Sequence, residues 1–228
     1  MFKVIVFDFD YTLGDSTNGI VLSINYALEK LGYYSRSVDE IKKTIGFSLK
    51  DTYFYLTGND NSNEAEQFAK FFKEKADKVM VENTTLYEGV KETLTELKEN
   101  GYKVAIVTTK FHYRIEQILN KHNAYDLINV IVGAEDVKVE KPNPEGLLWL
   151  IDYLSIEKSD ILYIGDSIVD AKTAANAKVA FAATLTGATG REAFVCHDNV
   201  FIGNNIPEIY QYIVSMPRSS AVFITRLR

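Results

Sequence analysis

This chain of 228 residues has one cysteine, three histidines, no apolar run of bilayer length and no cluster of basic residues. Each absence removes a class of protein. The lone Cys196 excludes an intrachain disulfide, and a side chain of this size and polarity is expected to be buried. His112, His122 and His197 stand apart without metal-ligand spacing and read as surface residues. No stretch approaches the roughly 20 apolar residues that a membrane-spanning helix needs. The N-terminus reads as a strand and not as a signal peptide, so a cytoplasmic location is expected. A net charge of −6 with no basic stripe argues against nucleic acid as a partner. Neither an internal repeat nor a low-complexity tract is present. What remains, 46% hydrophobic and 25% charged, suits one large domain or a core with a smaller insertion.

Against this plain background one segment stands out, Val4-Ile5-Val6-Phe7-Asp8-Phe9-Asp10-Tyr11-Thr12-Leu13. An apolar run of this kind predicts a strand buried on both faces, as in a parallel sheet covered by helices. Asp8 and Asp10 are spaced i and i+2 where the run ends, so on extended backbone they point to one side. Two carboxylates there suit a hard divalent cation, and one of them can attack an electrophile. The pattern recurs. Lys103–Val107 is an apolar run ending in Thr108-Thr109-Lys110, and Ile161–Ile164 is another, ending in Gly165-Asp166-Ser167 with Asp170 shortly after. Between them lies a cationic loop, Lys141-Pro142-Asn143-Pro144-Glu145, opening a helix. Parallel α/β sheets bind ligands at the carboxyl ends of their strands. Asp8, Asp10, Thr108, Lys141, Asp166 and Asp170 are therefore expected in one crevice.

This ordered set resembles the haloacid dehalogenase-like (HAD) hydrolase superfamily, in particular its phosphatases with a helical cap, of phosphoglycolate phosphatase-like and pyrophosphatase-like type. The resemblance rests on Asp8-x-Asp10-x-Thr12, the strand ending in Thr108, Lys141 before Pro142, and Gly165-Asp166-Ser167-x-x-Asp170. Asp15-Ser16 and Leu86-Tyr87-Glu88-Gly89-Val90 are weaker echoes, and the likeness runs from residue 1 to about 214. It implies an α/β, Rossmann-like parallel-sheet core, formed by residues 1–15 and 83–214, with an inserted cap at 16–82. Residue periodicity agrees: helices are expected at 16–31, 38–45, 48–57 and 62–81, with no strand among them, followed by alternating helices and strands to a last helix at 206–214. Residues 215–228 read as a loosely held tail.

The roles implied are those of a magnesium-dependent phosphatase acting on a small phosphorylated metabolite. Asp8 is the nucleophile and a metal ligand. Asp10 is the acid and base, a role that needs a pKa near the working pH, and by resemblance its main-chain carbonyl faces the metal. Asp166 is a metal ligand, with Asp170 one helical turn on, behind it or ligating directly. Thr108 and the Thr109 amide hold phosphate, and Lys141 supplies positive charge to phosphate and nucleophile; Lys110 and Lys138 compete for that place. Gly165 allows close approach at its strand end. Gly46, Phe47, Ser48 and Lys50 resemble the cap's substrate-facing turn, though a plain interhelix turn reads equally well. Two positions depart from the pattern: Tyr11 and Lys178 stand where glycine is common, which predicts a bulkier turn beside the site and a shifted helix end. A sugar phosphomutase of the same superfamily ranks lower, because no second acid/base is evident in the cap. A non-enzymatic phospho-acceptor or regulatory protein ranks lower still. Monomer and dimer are both open.

Overall fold

The computed structural model describes residues 2–216, so most of the tail at 215–228 lies outside the described residues. Strand β1 (Val4–Phe7) is buried on both faces. Ile5 and Phe7 pack into one hydrophobic cluster, Val4 and Val6 into another on the far side. This split is the geometric consequence of alternating side chains on a strand between two helical layers.

After β1 the chain turns through Tyr11 into a two-residue strand, β2 (Gly14–Asp15). Four helices follow: α1 (Thr17–Lys30), α2 (Val38–Lys42), α3 (Leu49–Thr57) and α4 (Ser62–Val79). Strand β3 (Thr85–Leu86) then pairs antiparallel with β2. The exit and return of the helical segment are thus hydrogen-bonded to each other. A side chain at Gly14 would meet the Thr85 carbonyl at 2.9 Å, which keeps that position small. Ile20, Ile24 and Leu28 of α1 are buried with Phe68, Phe72 and Ala76 of α4 and Tyr53 and Leu56 of α3. Ser37, Ser48 and Asn61 cap the starts of α2, α3 and α4. Helix α2 stops at Lys42, short of the expected 45, because the chain turns through Gly46 at φ 94°.

The remaining elements alternate: α5 (Val90–Glu99), β4 (Lys103–Val107), α6 (His112–Lys121), β5 (Val130–Val132), α7 (Glu145–Leu154), β6 (Ile161–Gly165), α8 (Ile168–Ala177) and β7 (Ala180–Thr184). Three elements follow, α9 (Arg191–Val195), β8 (Phe201–Gly203) and α10 (Ile206–Ser215). The main sheet of the described residues is six-stranded and parallel, in the order β5-β4-β1-β6-β7-β8. The first strand is central, and successive connections run to opposite edges from it. The ends of β1, β4 and β6 therefore flank a topological switch point, the place where open α/β sheets form their crevice.

Two expectations need correction. Cys196 is exposed, because it follows the single turn of α9 at the surface. The histidines are half-buried: His112 Nδ1 lies 2.7 Å from Asp136 Oδ2, and His122 Nε2 lies 3.0 Å from the Thr84 carbonyl oxygen. His112 and His122 stand at the two ends of α6, each ring reaching a polar partner.

Candidate active site

Asp8 leaves the end of β1 with 2% of its surface exposed, and its amide donates to the Ile164 carbonyl of β6 at 2.8 Å. Lys141, from the loop before α7, donates to Asp8 Oδ1 at 2.8 Å and to Asp170 Oδ1 at 2.7 Å. Asp170 belongs to α8 and is fully buried. Its Oδ2 accepts from the Ser167 hydroxyl and amide in a capping box, while Oδ1 also lies 2.9 Å from the Tyr163 hydroxyl. Both oxygens of Asp170 are thus committed to protein donors, and its evident task is to hold Lys141. Gly165 makes room for this, since a Cβ there would lie 2.4 Å from the Asp170 side chain. Tyr163 completes the bracket, with its hydroxyl 3.1 Å from both Lys141 Nζ and the Val107 carbonyl oxygen.

Asp166 leaves the end of β6 beside these groups and accepts a hydrogen bond from the Thr12 hydroxyl at 3.3 Å. One oxygen each of Asp8, Asp166 and Asp170 lie within 4.8 Å of one another. Three buried carboxylates face one ammonium, so the cluster carries an excess of negative charge. Burial raises the Asp8 pKa from 3.8 to about 6, Lys141 opposing and Asp170 adding to the rise. Burial also lifts Asp166 well above the ordinary carboxylate range, with Asp170 and Asp8 as further causes. Lys141 loses hydration too, yet Asp170 and Asp8 together hold its pKa well above the usual lysine value. All three shifts agree with several carboxylates crowded around one ammonium, burial being the largest cause for the two acids. A divalent cation bound among these oxygens would reverse that excess of negative charge.

Asp10, two residues past Asp8, bonds through Oδ2 to Lys110 Nζ at 2.9 Å, and its Oδ1 is buried without a partner among the described residues. Lys110 is itself buried, which lowers its pKa despite the neighbouring Asp10. Thr108 closes β4 at 5% exposure, and its hydroxyl accepts from the Lys110 amide at 3.3 Å. The structure thus separates the three lysines that competed for one role: Lys141 is on Asp8, Lys110 is on Asp10, and Lys138 is exposed.

The turn of Gly46 and Phe47 sits above these groups; a Cβ on Gly46 would lie 3.6 Å from Ser167 Oγ. Gly46 and Phe47 line a cavity with Asp10, Thr109 and Lys110, whereas exposed Lys50 lines a separate groove along Lys138–Asn143. Both departures from glycine adopt the glycine conformation. Tyr11 has φ 62°, its carbonyl accepts from the Thr186 hydroxyl, and its own hydroxyl lies 2.9 Å from Thr17 Oγ1, so the turn is bulky and pinned. Lys178 ends α8 at φ 60°, so the helix end is not shifted.

Sequence reasoning passed over four residues. Thr12 stood in the motif without a role, and Tyr163 was only part of an apolar run. Arg114 carries no motif. Gly187 has no local signal at all: a Cβ there would lie 1.8 Å from Asp166 Oδ2, so only glycine leaves Asp166 its place.

Known proteins are similar to this chain along most of its length. The pyrophosphatase PpaX of Bacillus cereus is 30% identical over 219 residues, covering 95% of this chain and 99% of that protein. The phosphoglycolate phosphatase of Vibrio parahaemolyticus is 27% identical over 222 residues, covering 92% and 96%. A solved structure from Bacteroides fragilis, described as a haloacid dehalogenase-like hydrolase, superposes with a TM-score of 0.89 at 40% identity, covering 92% of this chain and 100% of that one. The family model for haloacid dehalogenase-like hydrolases matches residues 5–184, a span that contains every buried acid and lysine of the site, and the chain belongs to that family.

Proposed function

We propose that this protein is a magnesium-dependent phosphatase that hydrolyses a small phosphorylated metabolite through an aspartyl-phosphate on Asp8. The observation that carries the reading is the buried Asp8, fixed by Lys141 in a cluster with more negative than positive charge. Two relatives named for phosphoglycolate and pyrophosphate hydrolysis support the substrate class.

The donor set fits a hard cation: all side-chain donors are carboxylate oxygens, and they are buried together. The Asp8 and Asp166 carboxylates and the main-chain carbonyl of Asp10 would hold it, with Asp170 one layer behind. When bound, the cation screens the negative charge that otherwise keeps carboxylate and phosphate apart.

Asp8 attacks phosphorus in line, forming the acyl phosphate on Asp8, a mixed anhydride, as the bond to the leaving oxygen breaks. The Lys141 ammonium at 2.8 Å steers Asp8 and offers charge to the phosphoryl oxygens, while the Thr108 hydroxyl and the Thr109 amide contribute further donors. Asp10 gives its proton to the leaving oxygen. It then takes one from the water that attacks the phosphoenzyme, releasing phosphate and restoring Asp8. The helices of 16–82 serve as a cap that excludes bulk water and bounds the leaving group. Phe47 and Gly46 reach the cavity directly, and Lys50 acts from the neighbouring groove. The protein works as a cytoplasmic monomer or dimer; among the described residues no helix is long and apolar enough to cross a membrane.

Phosphate release from a panel of phosphorylated metabolites, with magnesium and with chelator, tests this reading. Turnover is expected with magnesium and should vanish with chelator. Full activity in excess chelator would sink the metal assignment, and release from no ester would sink the phosphatase reading itself.

A further inference from the structure

The ammonium of Lys141 carries three N–H donors, and the fold meets all three. One goes to Asp8 Oδ1 at 2.8 Å, one to Asp170 Oδ1 at 2.7 Å and one to the Tyr163 hydroxyl at 3.1 Å. The first two acceptors are carboxylates of the site. The third comes from the middle of β6, where Ile161, Leu162 and Ile164 are aliphatic and, like Tyr163, fully buried. The Tyr163 ring packs in the hydrophobic cluster on that face of the sheet, 6.3 Å from the Phe181 ring, and a phenylalanine would fill the same place. The core therefore has no need of the hydroxyl, and a buried hydroxyl is costly unless it is hydrogen-bonded.

Its partners all belong to the site. The hydroxyl accepts from Lys141 and has one proton to give, to Asp170 Oδ1 at 2.9 Å or to the Val107 carbonyl at 3.1 Å. Strand β1 lies between β6 and β4 in the sheet, so the Tyr163 side chain reaches past the strand that delivers Asp8 to the end of the strand that delivers Thr108. One oxygen thus ties together the Lys141 loop, the first turn of α8 and the end of β4. With two acceptors an ammonium can still swing about the line that joins them. A third acceptor off that line fixes it.

We propose that Tyr163 is a positioning residue for phosphoryl transfer, its hydroxyl completing the hold on Lys141 and so keeping the ammonium on Asp8 Oδ1. Lys141 then lends charge to the phosphoryl group without giving up an N–H, and the direct donors to phosphate come from other groups. The inference rests on the phosphatase reading above, in which Asp8 is the nucleophile. An attacking oxygen displaced from the in-line approach loses rate steeply, so the third anchor acts on kcat. Substrate and cation are held by other groups, and their affinities do not depend on it.

Tyr163→Phe removes one oxygen and keeps the ring. With p-nitrophenyl phosphate, at a temperature where circular dichroism shows the variant folded, kcat should fall about tenfold while KM and the half-saturating magnesium concentration stay within about twofold. Phe194→Leu, in the same hydrophobic cluster but away from Lys141, should melt earlier and keep its kcat. An unchanged kcat in Tyr163→Phe, a loss confined to KM, or an equal loss in Phe194→Leu would each overturn the assignment, the last by making the effect one of packing. Should Tyr163→Phe fail to fold, nitrogen-15 lysine NMR of the wild-type protein with magnesium decides. The Lys141 ammonium, identified by its absence from Lys141→Met, should exchange protons with water about tenfold or more slowly than exposed Lys138, before and after inorganic phosphate is added. Exchange at the rate of Lys138, or loss of the slow exchange on adding phosphate, would refute the three-acceptor hold. The NMR measurement needs no turnover, so it tests this inference apart from the phosphatase reading, which fails instead if wild type releases phosphate from no ester.

Discussion

At position 187 a methyl group would lie 1.8 Å from Asp166 Oδ2, a separation no atoms tolerate. Gly187→Ala is therefore expected to push the Asp166 carboxylate out of the cluster, weakening magnesium about tenfold or more while costing the chelated protein less. Titration of activity against magnesium checks this, and an unchanged half-saturation point would contradict it. Lys178 offers the opposite case. It holds φ 60° at an exposed helix end, where an L side chain costs about 1 kcal/mol relative to glycine. Lys178→Gly should raise the melting temperature slightly with kcat unchanged. A third expectation concerns pH. Burial raises the Asp8 pKa in the folded protein to about 6 from an ordinary 3.8, so the stability this carboxyl contributes is complete below about pH 4 and is lost as pH rises through 6. In chelator, Asp8→Asn should therefore gain melting temperature relative to wild type between about pH 4 and 7; a constant difference across that range would count against the buried placement of Asp8. The convergence of Asp8, Asp166 and Lys141 was legible because each lies just past a strand or just before a helix. Gly187 and Arg114 were not, because their meaning lies in side chains brought from distant elements.

The elements themselves were legible in proportion to how fully they are buried. Val4–Phe7, Lys103–Val107 and Ile161–Gly165 lie between two helical layers and read as unbroken apolar runs. The amphipathic stripes of α1 and α4 announced themselves by spacing. What stayed hidden were β2 and β3, two residues each, the three-residue β8 and the single-turn α9. Segments so short carry no period; pairing partners far along the chain define them. The β2–β3 ladder ties together the two ends of the helical segment. Closure should then proceed as one motion of the helical segment about that ladder. Phe47→Ala removes a ring from the cavity and should change KM and the ranking of substrates more than magnesium affinity. Lys50→Ala, in the outer groove, should do so less. Equal effects of Phe47→Ala on every phosphate ester would remove the helical segment from substrate selection.

For the molecule as a whole, the decisive arrangement is a parallel sheet whose central strand ends at the switch point, with four helices above it. That geometry buries Asp8 at the end of the central strand, with a cavity of about 60 Å³ beside Asp10 that the helical segment lines on one side. Small soluble phosphates should be hydrolysed and folded phosphoproteins should not. The central claim is that Asp8 becomes phosphorylated. Rapid acid quench during turnover with magnesium, followed by borohydride reduction and mass spectrometry of the peptide holding Asp8, tests it most directly. Conversion of Asp8 to homoserine, absent in Asp8→Asn and absent without substrate, is the predicted result. Steady turnover by Asp8→Asn, or label trapped on another residue, would contradict it.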